Sequence, residues 1–253
     1  MNIQGQRAVV TGGASGLGRA AAEALHVAGA KVAILDVNEK AAQEVAKSLG
    51  GFAASCDVTS ATGTEAALKA AEAAIGPIRA CVSCAGVGPA KRILGRDGPM
   101  NLDDFARVVQ INLIGTFNVL RLVSAQMAKL DPLPSGERGV IINTASIAAY
   151  EGQVGQAAYA SSKGGVASLT LPAAREMARH AIRVLAIAPG IFETPMLHSL
   201  PEAAQQSLAA SIPFPSRLGR PSEFASLVMH MIENAMLNGE VVRIDGAIRL
   251  SAS

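Results

Sequence analysis

Ala8-Val9-Val10-Thr11-Gly12-Gly13-Ala14-Ser15-Gly16-Leu17-Gly18 sets the fold. A short apolar run enters a glycine-rich loop. The chain leaves it in a segment where Leu17, Ala21, Ala24 and Ala28 recur at helical spacing. Strand, glycine loop and helix, in that order, is the context a dinucleotide-binding turn requires. Glycines let the backbone turn tightly and approach a pyrophosphate, and the free N–H groups at the helix start face the anion. Gly12, Ser15, Gly16, Leu17 and Gly18 are therefore the predicted phosphate contacts. Such loops also make ordinary tight turns, but the order of elements favours a cofactor.

The neighbouring segments extend this pattern. Lys31-Val32-Ala33-Ile34-Leu35 reads as the next strand, and Asp36 ends it, 18 residues after Gly18. A carboxylate there accepts hydrogen bonds from ribose hydroxyls and repels a 2′-phosphate. That favours NAD over NADP, and neither Val37 nor Asn38 offers a cation for a phosphate. A helix from about Glu39 to Leu49 leads to a third strand, Phe52 to Ser55, and then to Asp57-Val58. Asp57 either meets the adenine or caps the helix that follows. A fourth strand, Ala80 to Ser83, ends in Cys84-Ala85-Gly86, whose small side chains leave room for a cofactor against the backbone. The loop Gly86 to Pro99 carries Lys91, Arg92 and Arg96, which either meet substrate phosphates or are simply solvated.

A long helix is predicted from Asn101 or Leu102 to about Leu130, with Asn112 inside it. A buried amide needs partners; it serves either as a structural cap or as the holder of a water near Lys163. Asp131 to Gly139 reads as a plain surface connection. Ser146 follows the apolar run Val140-Ile141-Ile142, and a helix beginning near Gln156 holds Tyr159 and Lys163 four residues apart, on one face. A phenol with a pKa of about 10 is a weak base at neutral pH. A nearby ammonium stabilises the phenolate and eases loss of the proton. The same helix runs to about His180, with a kink expected at Pro172. A sixth strand, Val184 to Ile187, precedes Pro189-Gly190-Ile191-Phe192-Glu193-Thr194. Residues 193–215 read as a lid. A helix near Ser222 to Ile232 and a last strand, Val241 to Ile244, complete the alternation. The expectation is one α/β domain over residues 1–253, a Rossmann-type doubly wound parallel sheet of about seven strands with helices on both faces.

Composition narrows the classes. Half of the residues are hydrophobic and 17% are charged, which suits a large two-sided core, and a net charge of +2 with no long basic stripe argues against nucleic acid. No apolar run is expected to reach the roughly 18 residues that span a bilayer. No leader is legible before the first strand, so the cytoplasm is the expected location, with the mitochondrial matrix as the alternative. Cys81-x-x-Cys84 sits on a strand, where residues three apart face opposite ways. No second pair exists, and His26, His180, His198 and His230 are scattered, so no metal is expected.

Taken together, these residues resemble the short-chain dehydrogenase/reductase family. Thr11-Gly12-x-x-x-Gly16-x-Gly18 is similar to its cofactor loop. Asn112, Ser146, Tyr159 and Lys163 are similar to its catalytic tetrad, with Ser146 standing 13 residues before Tyr159. Pro189, Gly190, Phe192 and Thr194 fall in the segment that the resemblance assigns to the nicotinamide. Many members carry Asn-Asn-Ala-Gly after the fourth strand, where this chain has Ser83-Cys84-Ala85-Gly86. That departure, Glu151 to Gln156, and Ile212 to Gly219 resemble the members that act on 3-hydroxyacyl-CoA. The resemblance implies an NAD-dependent homotetramer acting on an acyl-CoA thioester, with selectivity loose enough to reach branched chains and steroids. Ser146, Gln153 and Tyr159 would contact the substrate. The alternatives are a 3-oxoacyl-carrier-protein reductase, a short-chain alcohol or steroid dehydrogenase, and a non-catalytic scaffold or redox sensor on the same fold.

Overall fold

The computed structural model describes residues 1–194, 197 and 202–252. Seven strands form one sheet: β1 (Arg7–Thr11), β2 (Lys31–Asp36), β3 (Phe52–Ser55), β4 (Ala80–Ser83), β5 (Gly139–Thr144), β6 (Ile182–Pro189) and β7 (Val241–Ile244). Their order is β3-β2-β1-β4-β5-β6-β7, and every neighbouring pair is parallel. Parallel strands are covered on both faces and so read as continuous apolar runs. Consecutive residues face opposite ways, and two cores result. Val10, Ile34 and Ile142 pack with α1 (Gly16–Val27), α2 (Glu39–Ser48) and α8 (Pro221–Glu233). Val9, Leu35, Cys81 and Ile141 pack with α3 (Ala61–Ile75), α5 (Gly115–Met127) and α6 (Ala157–Ala178). Strand order reverses between β1 and β4, which opens a crevice at the carboxyl ends of the strands.

Several expectations need correcting. The long helix is three pieces: α4 (Leu102–Val109), a π-helical turn over Gln110–Ile114, and α5. Counted through that turn, Leu102–Met127 spans 26 residues, and its most apolar 18-residue window has a mean hydropathy of 1.4, so among the described residues one segment is long and apolar enough to cross a membrane. Half of its most apolar window is buried. Val119, Val123 and Met127 pack on the sheet, as in a core helix. As expected, α6 runs through Pro172, to Ala178. The sixth strand starts earlier, at Ile182, where it pairs with Gly139, and its Arg183 has a buried partner, Glu137, at 2.6 Å. The Asp131–Gly139 connection is therefore an anchor rather than a plain surface loop. Arg183 also donates to the carbonyls of Met231 and Ile232, each at 2.7 Å, and so ties that loop to α8. The Gly86–Pro99 loop contains a small hairpin, Leu94–Gly95 against Gly98–Pro99. Cys84 lies just past β4, not on it. No cluster of three or more His, Cys, Asp or Glu suited to a metal occurs among the described residues. Of the lid, residues 195, 196 and 198–201 lie outside the described residues; α7 (Glu202–Ala210) covers part of the remainder.

Candidate active site

A cleft of about 1050 Å³ opens at the carboxyl ends of the strands. Every catalytic, cofactor and substrate residue named from the sequence lines it, except Asn112; the loop cations Lys91, Arg92 and Arg96 do not.

One end is built for a phosphate-bearing ligand. Gly12 has φ +65°, and a Cβ there would stand 2.6 Å from the amide nitrogen of Ala85. A Cβ on Gly18 would collide with the Gly12 carbonyl oxygen. The loop thus packs against the Cys84–Ala85 turn with no space for side chains. Ser15, the residue before α1, makes no side-chain cap, and the first turn of that helix holds no acidic residue. Its N–H groups therefore remain available for an anion. Asp36 is held by two backbone donors, Ala14 N at 3.1 Å and Asn38 N at 3.0 Å. Asp57 accepts from the amide and the hydroxyl of Thr59 at 2.9 and 2.8 Å. Ser60, not Asp57, caps α3. This arrangement fits a dinucleotide: a side-chain-free cradle, an uncapped helix start, and a fixed carboxylate one strand away.

The other end holds the proton chemistry. Ser146 closes β5 and caps a short 3-10 turn through Ala148 N at 3.1 Å. Tyr159 and Lys163 reach the same wall from α6, with the ammonium 5.9 Å from the centre of the phenol ring. Lys163 donates to the Thr144 carbonyl at 2.7 Å. Burial pushes its pKa down to about 8. Burial pushes the Tyr159 phenol up, and a hydrogen bond with Ser146 opposes that shift. The Lys163 ammonium stands over the ring and bonds the Thr144 carbonyl, not the phenol oxygen. Among this chain's own groups, desolvation outweighs the Ser146 hydrogen bond. Burial also raises the Cys84 thiol to about 11, so it stays protonated beside Lys163.

Asn112 stands behind the wall. Its amide donates to Val87 O at 2.8 Å and Ser162 Oγ at 3.0 Å, and accepts from Val87 N at 2.8 Å. The Ser162 hydroxyl in turn donates to Tyr159 O at 2.7 Å. Both Nδ2 hydrogens are thus used, and the side chain binds the β4 loop to α6. Gly86 lies beside it: a Cβ there would come 3.1 Å from Asn112 Oδ1 and 3.5 Å from Lys163 Nζ. In the loop of cations, Lys91 pairs with Asp104 at 2.6 Å, while Arg92 and Arg96 are exposed and lie away from the cleft lining.

Three cleft features escaped the sequence reading. Thr144 acts through its main-chain carbonyl, which no side-chain pattern signals. Arg107 lines the cleft from α4, and its helical position alone could have suggested this. Leu250 also lines the cleft, from the segment after β7; no motif marks it.

Comparison with known proteins agrees with this geometry. The sequence profile described as short chain dehydrogenase matches residues 6–205. The chain is 51% identical over 253 residues to the 3-hydroxyacyl-CoA dehydrogenase type-2 of Bos taurus, and equally so to that of Homo sapiens, covering 98% of this chain and 97% of each relative. A crystal structure of 3-hydroxyacyl-CoA dehydrogenase type-2 from Mycobacterium avium superposes with a TM-score of 0.93 at 44% identity, covering 98% of both chains.

Proposed function

The chain belongs to the short-chain dehydrogenase family, and from that premise we propose that it oxidises the C3 hydroxyl of 3-hydroxyacyl-CoA thioesters with NAD, reversibly. One observation carries this: Ser146, Tyr159 and Lys163 meet on one wall of the same cleft whose far end is the glycine cradle and Asp36. The named relatives supply the substrate class.

Bound in that cradle, NAD supplies a hydride acceptor, and the protein supplies position and electrostatics. Gly12, Gly16 and Gly18 hold the pyrophosphate, and Asp36 holds the adenosine ribose. Cys84 to Gly86, with Pro189 and Gly190, form the walls of the nicotinamide end. The substrate hydroxyl sits between the Ser146 and Tyr159 oxygens. Ser146 steadies it by hydrogen bonding. Tyr159 takes its proton, and Lys163, in its charged form, favours the phenolate that does so. Asn112 fixes the α6 turn that carries Tyr159. Gln153 contacts the thioester. We further propose a homotetramer. The exposed apolar residues Ile114, Phe117 and Leu171 support a subunit contact through the α5 and α6 region.

Replacing Tyr159 with Phe tests the mechanism. Oxidation should fall by at least about a thousand-fold, within the range lost when a positioned acid–base group is removed, while NAD binding measured by calorimetry stays nearly intact. Near-normal turnover in Y159F would sink the mechanism.

A further inference from the structure

The segment after β7, Asp245–Ala252, folds back across the proton-chemistry end of the cleft. Its fastening is ionic and unusually complete. Arg243 on β7 grips Glu151 with both Nη atoms, at 2.7 and 3.0 Å. Its Nε donates to Asp245 Oδ2 at 2.8 Å, and its Nη2 to Ile248 O at 3.2 Å. Arg249 adds a longer contact to Glu151 at 3.3 Å. The Leu250 amide donates to the same carboxylate at 3.4 Å. Arg243 also lies 5.4 Å over the ring of Tyr150. Two further bonds join this segment to the loop beside Ser146: Val154 N to Ala252 O at 2.9 Å, and Gln153 Nε2 to Ser251 O at 3.2 Å. Beneath it, Ile248 packs with Ile147 and Ile212, and Leu250 packs against that cluster.

Leu250 is thereby set in the cleft wall against the cluster that holds Ile147, the residue after Ser146, and next to Ser251, which Gln153 bonds. One hydrogen of the Gln153 amide is committed to Ser251, which fixes the plane of the group. Bidentate Arg–carboxylate pairs are the strong, directional ones. Removing one partner would free both the segment and the amide.

We propose that Leu250 is a specificity-determining residue that limits acyl length, and that Glu151 and Arg243 are positioning residues that latch Leu250 and Gln153 over the substrate. This rests on the thioester reading above.

The test uses the full-length enzyme with NAD and the butanoyl and decanoyl 3-hydroxyacyl-CoA esters. A single methylene in an apolar pocket is worth about 10- to 200-fold in kcat/KM. L250A should therefore raise the decanoyl-to-butanoyl ratio of kcat/KM by at least about ten-fold, and L250F should lower it. E151Q and R243M should raise KM for both esters by about ten-fold or more, with the NAD dissociation constant unchanged. The conservative R243K, which keeps a cation facing Glu151 and Asp245, should retain part of what R243M loses. Hydrogen exchange gives a readout free of substrate: the Val154 and Leu250 amides should lose protection in R243M. An unmoved chain-length ratio in both Leu250 variants would overturn the specificity role. Unchanged protection in R243M would overturn the latch. If the wild-type protein oxidises no acyl-CoA, the thioester reading and the role of Leu250 fall together, while the exchange result still decides the latch.

Discussion

Lys163 is charged and buried, and the structure shows what that does to the fold. The residue is 5% exposed, and among the described residues its ammonium has one hydrogen-bond partner, the Thr144 carbonyl at 2.7 Å. Burial moves its pKa from 10.5 to about 8. A lysine lowered in this way binds fewer protons folded than unfolded, so stability rises with pH wherever the two states differ. The penalty is fully present below about pH 8 and disappears as pH rises through about 10.5. The displacement corresponds to roughly 3 kcal/mol at neutral pH. Replacing Lys163 with Met removes the charge and keeps most of the stem, but leaves the Thr144 carbonyl without its donor. Losing a hydrogen bond to a charged group costs about 1.5–3 kcal/mol, so the two effects nearly cancel at neutral pH. The difference between the proteins is the clean signal, because every other titration is common to both. Urea unfolding at pH about 7 and about 10 should show wild type gaining roughly 2–3 kcal/mol on K163M over that interval. A pH-independent difference would refute the account of Lys163 as a buried ammonium held at a cost for use in the site.

Other consequences are directly measurable. D36A removes the acceptor held by Ala14 N and Asn38 N. The preference for NAD over NADP, as a ratio of kcat/KM, should fall at least ten-fold, about 1.4 kcal/mol; an unchanged ratio would show that Asp36 does not face the ribose. G12A forces a left-handed φ of +65° on a residue with a Cβ, which costs about 1–2 kcal/mol before the clash with Ala85 is counted. It should lower thermal stability and abolish NAD binding by calorimetry; tight binding in G12A would contradict the cradle. Burial raises the Tyr159 phenol, so kcat/KM for oxidation should climb with pH through the neutral range as the phenol loses its proton. A flat profile would argue against Tyr159 as the base.

The parts visible in the sequence are those built from neighbours along the chain. The runs at Val9-Val10, Ile34-Leu35 and Ile141-Ile142 read as covered strands because both faces of a parallel sheet are apolar. Ser146, Tyr159 and Lys163 were legible because one turn and one helix bring them together. What stayed hidden depends on partners far apart in sequence. The π turn at Gln110–Ile114 carries Asn112, whose amide reaches Val87 and Ser162 at once. Local propensity contains nothing of that demand. Arg183 sits buried in β6 with its charge met by Glu137, 46 residues away. Arg243 and Glu151 are 92 residues apart, and neither sits in a motif. The surroundings of Lys163 and Tyr159 are likewise only partly legible. Spacing places the two side chains on one face, but it reports neither the Thr144 carbonyl nor the depth of burial.

The most direct measurement is formation of reduced nicotinamide by the purified protein, with 3-hydroxybutyryl-CoA, its carrier-protein thioester and a hydroxysteroid, each offered with NAD and with NADP. The account predicts strong oxidation of the CoA ester with NAD and little with NADP. Activity confined to the steroid or the carrier-protein ester would overturn the substrate, and silence on all three with NAD still bound would contradict the enzymatic reading itself.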